Sequence, residues 1–262
     1  MFRKRRFETA AAARPVGRLQ EVETARPLAS LVFLSPFLVF YAAGLIWVRP
    51  DLAARADILL RDVLRLLGLT GVLAPTWLAV AVLLIWHLVR RDPWRVPAGL
   101  VGRMAAETAI LTVPLFVILA LFHAWRHAGL DLGVAAGHST GLPVGTAPWL
   151  AIAMTSIGAG IYEELLFRLL MVGGPIFLAR HVLRSGSYGV VVAVVLVTAA
   201  LFAGAHTLDD PSRFSWLSFL YRTAAGAYLG FVFAYRGFGI VAGVHMVFDL
   251  VIKLAAILGG GL

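Results

Sequence analysis

The sequence predicts an all-α fold, a polytopic transmembrane helix bundle of seven or eight spans. Of its 262 residues, 60% are hydrophobic and only 14% charged, against about 25% charged in soluble proteins. The apolar residues form long continuous runs, near the roughly 20 helical residues that a bilayer core requires. They lack the period-two alternation of a transmembrane β-barrel. There is no cysteine, which excludes disulfides, thiolate nucleophiles and Cys-ligated zinc.

Residues 1–27 open with Arg3, Lys4, Arg5 and Arg6 and stay largely polar to Pro27. They read as a basic cytoplasmic tail, because the first apolar run that follows is of full transmembrane length. Residues 28–262 then form one membrane-embedded helical domain. Its first span is 28–48, ended by Arg49, Pro50 and Asp51. Residues 56–69 set Ile58, Leu59, Val63, Leu66 and Leu67 against Arg61, Asp62 and Arg65, an amphipathic stretch suited to the interface. A second span covers 73–89, and a third covers 105–123 around Pro114, since proline is tolerated in membrane helices.

The Gly- and His-containing stretch 124–146 reads as a loop. A fourth helix begins at Pro148 and reaches at least Met171, where Gly173, Gly174 and Pro175 interrupt the pattern. Residues 176–183 are either a short interfacial helix or a continuation of it. Three more spans follow at 188–206, 216–235 and 239–258. Gly226 with Gly230, and Gly239 with Gly243, have the small-xxx-small spacing that lets helices approach closely.

The net charge of +9 invites a nucleic-acid reading. Many of the basic residues, however, cluster in short segments beside apolar runs, as Arg90, Arg91, Arg95 and Arg103 do. That is a topology signal, and no aromatic–basic module accompanies it. With a cytoplasmic N-terminus, these arginines, Arg180, Arg184 and Arg236 fall inside, while Asp209 and Asp210 fall outside.

Ionisable residues within spans are costly and usually face a protein interior or a watery cavity. Here they gather late in the chain: Glu163, Glu164 and Arg168, then His206, then His245 and Asp249. Glu107, near a span end, reads as interfacial. Residues i and i+4 share a helix face, so Glu164 can pair with Arg168. Glu163, about 100° away around the helix, is left for another neighbour. By the same spacing Phe202 stacks beneath His206, and Asp249 stands beside His245, where a carboxylate can fix an imidazole's tautomer. Taken singly, each has a plainer role: Phe202 as packing, Arg222 and Lys253 as snorkelling or pairing cations, and His87, His123, His127, His138 and His181 at span ends or in loops.

The ordered set resembles a known family. Glu163-Glu164-Leu165-Leu166-Phe167-Arg168 is similar to the EExxxR motif of the CAAX-protease and bacteriocin-processing (CPBP, or Abi) enzymes. Phe202 to His206 resembles their FxxxH motif and His245 to Asp249 their HxxxN/D motif. The resemblance covers about 148–258, which it marks as the catalytic core.

What the resemblance implies is an intramembrane protease acting on a membrane-associated protein or peptide, with the lipid bilayer and no nucleic acid as partners. Glu163 would be general base on a water, aided by His206. His245 and Asp249 would bind the carbonyl or stabilise the oxyanion, and Glu164 and Arg168 would support them. An ionised Asp249 would repel an oxyanion, so it is either protonated or orients His245. The favoured mechanism needs no cofactor, although two histidines and a glutamate also suit a divalent metal such as zinc. The location implied is a bacterial cytoplasmic membrane. A proton-coupled transporter and a non-catalytic immunity or binding scaffold are the alternatives. Simple span boundaries set Glu163 and His206 at different depths, unless the fourth helix begins later and continues through Gly173, or a span is tilted or broken.

Overall fold

A computed structural model describes residues 23–47, 53–127, 148–181, 187–208 and 214–258. The expectations for the tail up to residue 22, for most of the 124–146 loop, and for Arg184, Asp209 and Asp210 lie outside these residues. Among those described, all regular structure is helical: α1 Pro27–Trp47, α2 Arg55–Leu66, α3 Ala74–Arg90, α4 Ala98–His127, α5 Pro148–Glu164, a π-helical segment Leu165–Gly173, α6 Gly174–His181, α7 Tyr188–Leu208, α8 Trp216–Arg236 and α9 Phe238–Leu258. A 3₁₀ turn, Glu23–Ala25, precedes them.

Among the described residues, five helices are long and apolar enough to cross a bilayer: Pro27–Trp47, Ala98–Arg126, Tyr188–His206, Trp216–Arg236 and Phe238–Leu258. The shorter Ala74–Arg90 is also apolar. Outward residues such as Val39, Ile85, Ile110 and Val197 are exposed and apolar, a surface that only lipid would cover cheaply. The chain is an integral membrane protein.

The third helix starts earlier than its apolar run suggested, at Ala98, so Arg103 and Glu107 lie within it. Glu107 Oε2 is 3.6 Å from Arg236 Nε at the end of α8. Pro36 leaves the carbonyl of Val32 without its usual donor, and the hydroxyl of Ser35 supplies one at 2.9 Å.

The interruption expected at Gly173 to Pro175 is not a break. Helix runs on from α5 through the π segment into α6. Proline clashes with the carbonyl four residues before it, and the i→i+5 ladder of a π-helix widens the backbone just ahead of Pro175. Thr198 of α7 donates to the carbonyl of Met171 there, at 3.3 Å.

The centre of the bundle is α9, whose residues from Phe238 to Met246 are all buried. It packs against α1, α4, α5 and α8. Glycines set these approaches: an added Cβ at Gly160 would lie 2.2 Å from Met246 Cγ and 2.9 Å from the Ala242 carbonyl. Gly239 and Gly243 abut Ser30 and Thr108, and Gly226 and Gly230 abut Phe202 and Val195, as the small-xxx-small spacing predicted. Gly237 alone joins α8 to α9, at φ 87°, a left-handed conformation that favours glycine.

Helix α2 is amphipathic, as expected, and the apolar residues picked out in the sequence face outward. Ala56, Asp57, Leu60 and Leu64 point inward, while Ile58, Leu59, Val63 and Leu66 are exposed. Asp57 accepts a hydrogen bond from Tyr41 at 2.8 Å and ion-pairs with Arg61. Buried charge is tolerable only with such partners.

Candidate active site

Helix α5 and the π segment run antiparallel to α7 in three successive rungs. Thr198 meets Met171, the rings of Phe202 and Phe167 lie 5.0 Å apart, and His206 faces Glu163. The expected depth mismatch between Glu163 and His206 is thereby removed, because the fourth helix does continue through Gly173. Close contact at Gly160 then brings His245 of α9 to the same level.

Glu164 and Arg168 are 0% and 1% exposed. Arg168 Nε lies 3.1 Å from Glu164 Oε2, out of hydrogen-bond alignment, so this contact is ionic. The guanidinium also donates to the Gly226 carbonyl at 3.2 Å and stands 4.6 Å over the Phe202 ring, a cation–π arrangement. Phe202 thus does more than fill space. It also stacks 4.5 Å from His206, ring centre to ring centre.

The partner of His245 is not the one its own helix offered. Its Nδ1 donates to Glu164 Oε1 at 2.7 Å. Its Nε2 is 3.7 Å from Asp249 Oδ1, beyond hydrogen-bond length. Glu164 therefore holds Arg168 with one oxygen and His245 with the other, and fixes the imidazole's orientation. Asp249 is engaged elsewhere, accepting from Lys253 Nζ at 2.8 Å. Of the roles weighed for Asp249, orienting His245 does not match this geometry: Glu164 does the orienting.

Glu163 is left without a close partner, as helical geometry predicted. Its Oε2 lies 3.9 Å from His206 Nε2 and 4.0 Å from His245 Nε2. His206 Nδ1 is 2.9 Å from the Phe202 carbonyl. A carbonyl only accepts, so Nδ1 carries the proton and Nε2 of the neutral ring presents a lone pair. Glu163, His206 and Asp249 are partly exposed, with side chains 15%, 23% and 23% accessible, whereas Glu164 and Arg168 are sealed.

Separations of 3.9 and 4.0 Å exceed the roughly 3.4 Å between donors on one tetrahedral zinc with bonds of about 2.1 Å. Among the described residues no three His, Asp or Glu side chains form a group that would hold a metal ion.

The motif residues all lie within residues 145–251, which match the family model described as type II CAAX prenyl endopeptidase Rce1-like. This segment is thus similar to an Rce1-like CAAX protease domain. No curated protein and no solved structure matches the chain. The Rce1-like domain holds Glu163, Glu164, Arg168, Phe202, His206, His245 and Asp249 and ends before Lys253. The second role of Glu164 is what sequence reasoning missed, whereas Lys253 is the pairing cation expected. Lys253 was readable as an i+4 partner of Asp249. The link from Glu164 to His245 joins two helices, and spacing within either one carries no sign of it. Elsewhere, His87 is buried edge-on to Trp94 at 4.4 Å rather than interfacial.

Proposed function

We propose that this chain is an intramembrane endopeptidase that hydrolyses a peptide bond of a membrane-associated protein or peptide, using a water activated by Glu163 and His206. The observation that carries the reading is the 3.9 Å gap between Glu163 Oε2 and His206 Nε2. Both atoms are acceptors, and water is the small molecule that donates to two acceptors at once. Glu163 takes a proton from the water as its oxygen adds to the scissile carbonyl carbon. It delivers that proton to the leaving amine as the C–N bond breaks. Positioned proton transfer of this kind is worth about 10²–10⁴-fold in rate.

His245 acts as the imidazolium, donating from Nε2 to the developing oxyanion while Nδ1 stays on Glu164. Glu164 and Arg168 are positioning residues. Asp249 borders the carbonyl site. No step is routed through a metal.

The topology that fits is seven crossings, made by α1, α3, α4, α5 with its π continuation, α7, α8 and α9. With a cytoplasmic N-terminus, α1, α4 and α9 all run outward. The contacts of Gly239 with Ser30 and Met104, and of Gly243 with Phe33 and Thr108, are those of parallel helices and support this parity. Residues 1–27 are then a cytoplasmic tail, 28–262 the membrane domain with its core at 148–258, and the location a bacterial inner membrane.

The test is cleavage of membrane-anchored peptides by purified protein. Glu163→Gln and His206→Gln should each lower cleavage by at least about 100-fold, with unfolding unchanged and wild-type cleavage surviving chelation. Retained cleavage in both variants would sink the proposal. Glu163-dependent solute uptake without cleavage would favour a transporter instead.

A further inference from the structure

Position 249 presents an electrostatic problem that the neighbouring helical turn answers. His245, Asp249 and Lys253 recur every four residues and so lie on one face of α9. The polar atoms form a row: Glu163 Oε2 to His245 Nε2 at 4.0 Å, His245 Nε2 to Asp249 Oδ1 at 3.7 Å, and Asp249 Oδ2 to Lys253 Nζ at 2.8 Å. Within this row Glu163 and Asp249 are both acids, and attack on a carbonyl, with Glu163 taking the water's proton, moves the Glu163 charge onto an oxyanion nearer to Asp249. Repulsion at such separations is strong wherever water is sparse.

We infer that Lys253 is the positioning residue that makes an aspartate workable at 249, its ammonium cancelling the Asp249 charge so that His245 Nε2 can meet a developing oxyanion unopposed. The inference rests on the proteolytic reading above. Asp249 before Lys253 is the favourable order for a pair on a helix, and both side chains are about one-quarter accessible, 23% and 26%, so the pair borders the open half of the site rather than the sealed one. Lys253 itself donates to Asp249 and touches no reacting atom. Its effect is on the field in which the reaction occurs, so it should act on kcat more than on KM.

The experiment is a double-mutant cycle on full-length protein, with a membrane-anchored reporter peptide. Lys253→Met should lower kcat about 100-fold, in the range seen when a stabilising charge is lost from an oxyanion site, with KM nearly constant. Lys253→Arg should restore most of the rate. Asp249→Asn brings no charge to cancel, so the cost of losing Lys253 is measured again relative to that variant, whatever its own rate. Adding Lys253→Met to Asp249→Asn should then cost about threefold or less, a strongly non-additive cycle.

An additive cycle or an unchanged kcat in Lys253→Met would each overturn the inference. Thermal unfolding of every variant separates loss of fold from loss of rate. Cleavage abolished by Glu163→Gln but untouched by Lys253→Met would overturn this inference alone. Cleavage indifferent to Glu163→Gln would overturn the proteolytic reading itself.

Discussion

His245 gives its Nδ1 proton to Glu164 on α5, 2.7 Å away, rather than to Asp249 one turn along its own helix. The second Glu164 oxygen faces Arg168, so one carboxylate ties His245 to the guanidinium that donates to the Gly226 carbonyl of α8. The contact turns three separate motifs into one object.

Replacing Glu164 by Gln should therefore be a stability mutation first. It leaves a buried guanidinium without its counter-charge, and breaking such a pair costs about 3–5 kcal/mol. Denaturant or thermal unfolding in detergent measures this. A loss below about 0.5 kcal/mol would show that the carboxylate is not the brace described.

Gly160 should resist any side chain. Gly160→Ala places a methyl against Met246 and the α9 backbone, and overpacking of this kind costs about 1–3 kcal/mol. It should also slow cleavage by prising Glu164 from His245. At Gly102 an added Cβ meets nothing within 4 Å, so Gly102→Ala should be neutral or stabilising by up to about 1 kcal/mol. Equal effects at the two sites would contradict the packing.

Phe202→Leu keeps apolar bulk but removes the ring beneath Arg168 and His206. A cation–π contact is worth about 0.5–2 kcal/mol according to desolvation, and the variant should lose stability in that range. Cleavage should fall as well, because His206 loses the surface that holds its ring. An unchanged unfolding midpoint would reduce Phe202 to packing.

Tyr41→Phe removes the hydroxyl that donates to Asp57 and accepts from the Ala54 amide at 3.0 Å. A buried group left unsatisfied costs about 1–3 kcal/mol. The loss should appear as faster proteolytic nicking around α2 before the bundle unfolds. Simultaneous loss of α2 and the bundle would argue that they melt as one unit.

Much of this architecture was legible because each signal was local. Apolar run length located the spans to within a few residues, except for α4, where tolerated Arg103 and Glu107 hid the first turns. Four-residue spacing found the Glu164–Arg168 and Phe202–His206 contacts and left Glu163 free. Two things were not legible. Gly173, Gly174 and Pro175 left a stop and a continuation equally open, because α-helical rules do not anticipate a backbone that widens into π geometry. His245 read as the partner of Asp249 because spacing reports only neighbours on the same helix, while Gly160 brings a stronger acceptor from α5.

The π segment Leu165–Gly173 has one more consequence, for how this chain tolerates a change in length. Each π hydrogen bond encloses one residue more than its α counterpart, so the segment holds slack that an ordinary span lacks. Deleting one residue from an α-helical span rotates everything beyond it by about 100°. Here a deletion between Leu169 and Gly173 has an alternative: the backbone can tighten to α and absorb it, leaving Glu163, Glu164 and Arg168 in phase with α7 and α9. The same deletion between Ile152 and Gly158 has no such reserve and would turn the two glutamates away from both histidines.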